Sequence, residues 1–215
     1  MIKKNLLLDH LHEEVPANYY DNAIRKNILQ RFWHFKRFTQ AKKYLKTVDT
    51  VSILDIGCNS GTFTKQIYNV FPKSKIFGID VSKKAIAYAK QKYTSINFQV
   101  AKAEELPFKS NTFDLVTCFE VLEHVDEPKR IIKEIKRVLT KNGNIILIVP
   151  TENLLFKMIW GLWTKFGPGR VWKHTHVQKF TKKKLDNLLK KSGCNIVKRK
   201  TFLLGMLLII HAKNI

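Results

Sequence analysis

The stretch Leu54-Asp55-Ile56-Gly57-Cys58-Asn59-Ser60-Gly61-Thr62 decides how this chain is read. It follows a β-rich run, Val51–Ile56, and opens a helical pattern, Thr62–Phe71, that Pro72 ends. Glycines in such a turn let the backbone reverse tightly and approach a ligand closely. A second β-rich run, Lys75–Ile79, ends at Asp80. An acidic side chain about 20 residues past a glycine turn can accept both hydroxyls of a ribose. Both features fall at the C-terminal edge of the sheet, where doubly wound folds bind ligands. The turn lacks the Gly-Lys-Ser/Thr of a phosphate-binding loop and the third glycine of a dinucleotide fingerprint, which argues against a nicotinamide cofactor.

Outward from this turn, strand and helix patterns alternate. Ser82 is placed to cap a helix running to about Tyr93. Ile96–Val100, Phe113–Phe119 and Asn144–Val149 read as strands, with a helix over Pro128–Leu139 and a turn at Asn142–Gly143. Such alternation predicts right-handed βαβ units and a parallel sheet covered on both faces. Beyond Pro150 the pattern breaks. Leu154–Phe166 is rich in Leu, Trp, Phe and Met, and Gly167-Pro168-Gly169 closes it. A helix follows over Thr181–Lys191, capped by Thr181 and stopped by Gly193, and then two runs, Asn195–Lys200 and Met206–Ala212, that suit a hairpin. Upstream, after Pro16 and Asn18, Ala23–Tyr44 places Ile24, Ile28, Phe32, Phe35, Phe38 and Ala41 at helical spacing, predicting one amphipathic helix. The expected architecture is α/β: a doubly wound, Rossmann-like, seven-stranded sheet, mostly parallel with the last strand antiparallel. An N-terminal helical segment (1–48) would precede a domain (49–215) carrying an inserted helical cap at about 151–175.

Hydrophobic residues make up 45% of the chain, enough for a folded core. Against 17 Asp and Glu stand 39 Lys and Arg, a formal net charge of +22. That surface attracts phosphate on nucleic acid or anionic lipid. Of the basic residues 32 are Lys and 7 Arg, a bias that compositional drift also produces and that sequence-reading nucleic-acid binders do not favour. Cys58, Cys118 and Cys194 form no CxxC pair, so neither a disulfide framework nor a zinc knuckle is expected. The start, MIKKNLLLDHLHEE, lacks the apolar core of a signal peptide, and no run reaches a membrane span. The expected location is cytoplasmic, with peripheral contact at an anionic membrane left open.

In order, DIGCNSGTF, GIDVS, AEELPF and NTFDLVTCFEVLEHV resemble a class I S-adenosylmethionine-dependent methyltransferase of the ubiquinone/menaquinone-biosynthesis (methyltransferase type 11) group. The resemblance covers residues 50–150 closely, and HVQKFTKKKLDNLLKKSG (176–193) is similar to that group's C-terminal part. It implies S-adenosylmethionine as cofactor. Asp55, Gly57 and Gly61, with Cys58 and Asn59 in the same turn, would line its methionine end. Asp80 would hold the ribose, Val81 pack on the adenine, Ala103 and Glu104 border the adenine, and Phe119 and Glu120 face the methionine portion or the substrate. Asn59 stands where the family has its middle glycine, and Asn tolerates left-handed backbone. Lys102 stands where many relatives have an adenine-accepting Asp, and Lys cannot accept a hydrogen bond.

Glu120, Glu123, His124 and His176 form a second constellation. If the residues after the fourth strand turn helical, the first three share a face and can hold a divalent ion such as Mg or Zn, with His176 as a fourth ligand. This resembles the metal-dependent subset of the family, some ubiquinone O-methyltransferases and the small-RNA 2′-O-methyltransferases. The alternative is structural, with Glu123 capping or salt-bridging and His124 packed below the site. His124 and His176 are the candidate general bases, and His174 reads better as an exposed loop residue. Phe156, Trp160, Trp163, Phe166 and Trp172 either pack on the N-terminal helix or line an apolar pocket, and with Lys157, Lys165, Arg170 and Lys173 beside them they also suit an anionic bilayer surface or stacking on RNA. The expected acceptor is a hydroxyl or carbon of a small molecule, lipid-like or isoprenoid- or glycan-linked. The alternatives are a metal-assisted RNA 2′-O-methyltransferase and a non-catalytic methyltransferase-like binding module.

Overall fold

The computed structural model describes residues 13–167, 169–170 and 175–215. Trp172 and His174, both weighed from sequence, lie outside the described residues. The chain runs α1 (Tyr19–Lys26), α2 (Ile28–Leu45), β1 (Ser52–Ile56), α3 (Thr62–Val70), β2 (Lys75–Asp80), α4 (Lys83–Lys92), β3 (Asn97–Val100) and β4 (Phe113–Phe119). A 3₁₀ turn (Leu122–His124), α5 (Pro128–Val138), β5 (Leu139–Pro150), α6 (Leu154–Phe166), α7 (Lys182–Lys191), β6 (Cys194–Phe202) and β7 (Leu207–Asn214) complete it. The seven strands form one sheet in the order β3-β2-β1-β4-β5-β7-β6. The first five are parallel, and β7 lies antiparallel between β5 and β6.

The central strands are buried on both faces, which is why β4 and the end of β5 read as nearly unbroken apolar runs. On β7, Leu208 and Ile210 enter the core under α5 and α7, while Leu207 and Ile209 enter the core under α2, α3 and α4. This period-two alternation is what a sheet covered on both sides demands. Helix α5 buries Ile131, Ile132, Ile135 and Val138 and turns its Lys and Arg outward. Each such side chain is worth about 1.5–3 kcal/mol of burial. Ser82 and Thr181 cap α4 and α7 as the sequence predicts, accepting from the N–H of Ala85 and Lys184. Asp114 accepts the N–H groups of Val51 and Ser52 at 3.1 and 3.0 Å and ties the entries of β4 and β1 together. The turn expected at Asn142–Gly143 lies inside β5, near a shift in the β4–β5 register between Phe113 and Leu115, with Asn142 left-handed at φ 62°.

The N-terminal segment departs from the expectation of one helix over Ala23–Tyr44. Asn27 adopts an extended conformation, ending α1, and its side chain accepts the N–H groups of Leu29 and Gln30 to restart the chain as α2. Of the predicted apolar face of α2 only the C-terminal part turns inward, with Ala41 buried and Phe38 packed against the core. His34, Arg37, Ala41, Tyr44 and Leu45 face inward, whereas Ile28, Phe32 and Phe35 are 71, 52 and 64% exposed. Periodicity marked an apolar stripe correctly but could not say that a carboxylate and an aromatic ring on the domain would draw in the polar face beside it.

Candidate active site

Two cavities open at the C-terminal edge of the sheet. The first, about 350 Å³, is built by the loops after β1, β2, β3 and β4. The glycine turn is bound to β2: Gly57 and Cys58 both donate their N–H to the carbonyl of Ile79, at 2.8 and 2.9 Å. Gly57 is left-handed at φ 74°, and a Cβ there would collide with Val121, so a larger residue would fill the cradle. Asn59 is left-handed too, at φ 45°, so the position where the family has glycine keeps its backbone form. Its N–H donates to Asp80 Oδ2 at 2.9 Å, and Ser82 N–H donates to Asp80 Oδ1 at 2.9 Å. The Asp80 carboxylate is thereby fixed at the cavity wall by two backbone donors. Val81, Ala103, Glu104, Phe119 and Glu120 line the same cavity, as does Lys102. Arg130 donates to the Glu104 carbonyl at 3.2 Å and holds the loop after β3.

Three residues of the glycine turn's motif, Asp55, Cys58 and Gly61, do not line the first cavity. Asp55 lies beneath the turn, where its oxygens accept from the hydroxyls of Thr64 at 2.6 Å and Thr117 at 2.7 Å. Burial pushes its carboxyl up to about 6. Asp55 and Cys58 border only a small recess beside Gly57, and the Cys58 thiol, pushed up by burial, packs into the core. Gly61, left-handed at φ 77°, is the N-cap of α3 against the ring of Phe98 and lines neither cavity. The turn carries no cation and sits between Asp55 and Asp80. That setting suits a positively charged methionine end and opposes a pyrophosphate.

The second cavity, about 500 Å³, is walled by α1, α2 and α6. Trp160, Phe156 and His176 pack as a mutually stacked trio, with centroids 5.5 Å apart for Phe156–Trp160, 4.3 Å for Trp160–His176 and 6.0 Å for Phe156–His176, while Trp33 of α2 lies 6.5 Å from Phe156. The aromatic segment thus packs against the N-terminal helices and lines an apolar pocket at once. Five buried polar atoms on this wall have no hydrogen-bond partner among the described residues: His34 Nε2, Arg37 Nε, Glu120 Oε1, Glu123 Oε2 and Trp163 Nε1. Leaving such an atom unsatisfied costs about 1–3 kcal/mol.

Glu120, left-handed at φ 56°, leaves the strand end toward Arg37, which meets its Oε2 at 3.0 Å. Arg37 also donates to His34 Nδ1 at 3.2 Å and lies over the ring of Phe63 at 4.6 Å. Because Nδ1 accepts, Nε2 of His34 carries the proton, and burial pushes this imidazole down to about 3. Burial raises the Glu120 carboxyl, and Arg37 partly offsets it. This arrangement corrects the expected four-residue metal set. Only Leu122–His124 becomes helical, so Glu120 turns away to Arg37, while Glu123, His124 and His176 each offer a ligand atom within 4.8 Å of the others. His124 donates from Nδ1 to the Thr175 carbonyl at 2.9 Å, and His176 from Nδ1 to Glu152 at 3.1 Å. Each ring therefore has Nε2 as its basic nitrogen, and that of His124 lies 4.0 Å from Glu123 Oε1. Burial first, and then Glu120, drives the Glu123 carboxyl well above its ordinary range.

The two cavities share Tyr20, Glu120 and His124 as a common wall. Tyr20, Arg37, Phe63 and Glu152 had no sequence signal. Tyr20, Arg37 and Glu152 lie outside the quoted motifs and reach the site only through packing, while Phe63 closes the glycine-turn motif without a signal of its own.

Residues 54–147 match the family model described as methyltransferase domain. Among curated relatives, an uncharacterized methyltransferase of Schizosaccharomyces pombe is 31% identical over 60% of this chain and 50% of its own length. A ubiquinone biosynthesis O-methyltransferase of Pelagibacter ubique is 33% identical over 62% of this chain and 52% of its own. The chain spans about half the length of the first curated relatives it matches. Among solved structures, the magnesium protoporphyrin IX methyltransferase of Synechocystis with bound SAH superposes with a TM-score of 0.76. At 17% identity over 98% of this chain and 100% of that one, it shares the fold.

Proposed function

We propose that the chain transfers a methyl group from S-adenosylmethionine to a hydroxyl or carbon of a small amphiphilic acceptor. The observation that carries this reading is the shared wall: Tyr20, Glu120 and His124 border both cavities. Methyl transfer needs the acceptor atom in line behind the sulfonium methyl, and two cavities meeting edge to edge provide that approach. Asp80 would accept the ribose hydroxyls, Val81 and Ala103 would flank the adenine, and Gly57 would let the methionine end approach the backbone. The cofactor supplies an already activated methyl group, so the protein's part is alignment and exclusion of water. A lone pair of the acceptor oxygen, or the π electrons of an acceptor carbon that then loses its proton, forms the new bond to the methyl carbon as the carbon–sulfur bond breaks and its electrons stay on sulfur, leaving S-adenosylhomocysteine. For a hydroxyl acceptor, His124 Nε2 would take the proton, with Nδ1–H held by the Thr175 carbonyl fixing the tautomer.

Alternatively His124 Nε2 would be a ligand instead of the base, and Glu123, His124 and His176 would together hold a divalent ion. A buried carboxylate with an orphan oxygen beside two basic ring nitrogens is a fitting donor set, and such an ion would lower the pKa of an acceptor hydroxyl. The apolar wall of the second cavity supports a lipid-like acceptor.

The test is transfer of radiolabelled methyl groups into a fractionated cell extract, with Asp80→Ala as control and with and without chelator. Label in the organic fraction, lost in the variant, is the expected result. Label in RNA would move the acceptor to nucleic acid. Cofactor binding with no transfer to any fraction would favour a binding module. Chelator-insensitive transfer would remove the metal.

A further inference from the structure

We infer that the N-terminal half of α2 and the outer face of α6 form a docking surface for an anionic lipid bilayer, with the second cavity opening between them. This rests on the acceptor reading above and deepens it: an amphiphile resident in the membrane would enter the cavity directly from the lipid.

The argument begins with exposure. On α2, Ile28, Leu29, Phe32 and Phe35 are all more than half exposed. On α6, Leu154, Met158, Leu162 and Phe166 are likewise more than half exposed, and Ile159 is 43% exposed. Ile28, Phe32 and Phe35 recur at four and three residues, one stripe beside the Leu29–Trp33 edge that lines the cavity. Ile159, Leu162 and Phe166 line the same cavity from α6, so both stripes flank one mouth. Isolated apolar residues on a surface need no explanation. A cluster on two helices around an opening does.

Charge selects the occupant. Neither helix contains an Asp or Glu, and Arg31 and Lys36 on α2 and Lys157 and Lys165 on α6 are exposed beside the apolar stripes. Long basic side chains around an apolar patch suit a bilayer, where their stems lie along the hydrocarbon edge and their heads reach anionic phosphates. A second copy of this chain would bring the same cations face to face. RNA prefers aromatic stacking platforms, whereas six of the nine exposed apolar residues here are aliphatic or Met.

The experiment is flotation of the full chain with vesicles of phosphatidylcholine alone and of phosphatidylcholine mixed with phosphatidylglycerol. The variants are Phe32→Ser with Phe35→Ser, and Leu154→Ser with Met158→Ser, none of which lines either cavity. Binding is expected to the anionic vesicles only, and each double variant should weaken it at least tenfold. Affinity for S-adenosylhomocysteine should stay unchanged, which also certifies folding. No vesicle binding, or vesicle binding that the variants leave intact, would overturn the inference. So would self-association or RNA binding lost in the same variants without vesicle binding. Failure to bind S-adenosylhomocysteine would strike the methyltransferase reading alone, because flotation is read without cofactor.

Discussion

The two cavities meet at one wall but are built on different principles. The first is made of backbone: a glycine turn bound to Ile79 and a carboxylate held by two N–H donors, all within loops that follow parallel strands. The second is made of side chains from three helices, and its polar atoms are held by one another or left without partners. A site built from backbone keeps its shape when side chains change around it. A site built from helix faces depends on how those helices dock and can be rebuilt by a few substitutions. The first therefore suits a constant cofactor and the second a variable acceptor.

The strongest way to break this contrast is Arg37→Ala. It would leave the partly buried Glu120 without its ion-pair partner and His34 without its donor, at a cost of about 2–3 kcal/mol in unfolding free energy. Urea unfolding measures this. If the second cavity is the tertiary construction described, S-adenosylhomocysteine affinity of the folded variant should fall far less than in Asp80→Ala. Equal losses would mean the two cavities are not separable.

The next test uses pH. Asp55, beneath the glycine turn, titrates at about 6 rather than near 3.8 because it is buried. A carboxyl raised on folding contributes stability that is fully present below the unfolded value and lost as pH rises through the folded one. The stability of the wild type relative to Asp55→Asn should therefore decline by about 2 kcal/mol between pH 4 and 7. Glu120 and Glu123 shift the same way in both proteins and cancel in the difference. A flat difference would show that Asp55 is not desolvated under the turn.

The smallest expected effect is at Asn27. Asn27→Ala removes the cap that restarts α2 and should cost about 1 kcal/mol. It should loosen the wall of the second cavity and leave the first untouched. Hydrogen exchange of the α2 amides would rise while S-adenosylhomocysteine affinity stays constant.

Legibility followed the same division. The strand–turn–helix around Gly57, the acidic end of β2, the caps at Ser82 and Thr181 and the closing hairpin were each set by neighbours in sequence, so local propensity and turn chemistry revealed them. The first cavity inherited that legibility from Gly57, Asn59 and Asp80. Even there, Asp55, Cys58 and Gly61 appear in the motif for reasons beyond lining a cavity. Asp55 ties β1 to Thr64 and Thr117, Cys58 fills the core, and Gly61 ends the turn at a left-handed angle.

By itself the sequence determined the doubly wound sheet, its closing hairpin and the glycine turn facing an aspartate, because these are written in short-range periodicity and backbone conformation. Only the tertiary structure decided which face of α2 turns inward, that Glu120 pairs with Arg37 while Glu123 gathers with His124 and His176, and that α2 and α6 leave an apolar surface around a cavity. Those outcomes depend on burial and charge pairing between residues far apart in the chain, and the energy of such a contact exists only once the fold has brought its partners together.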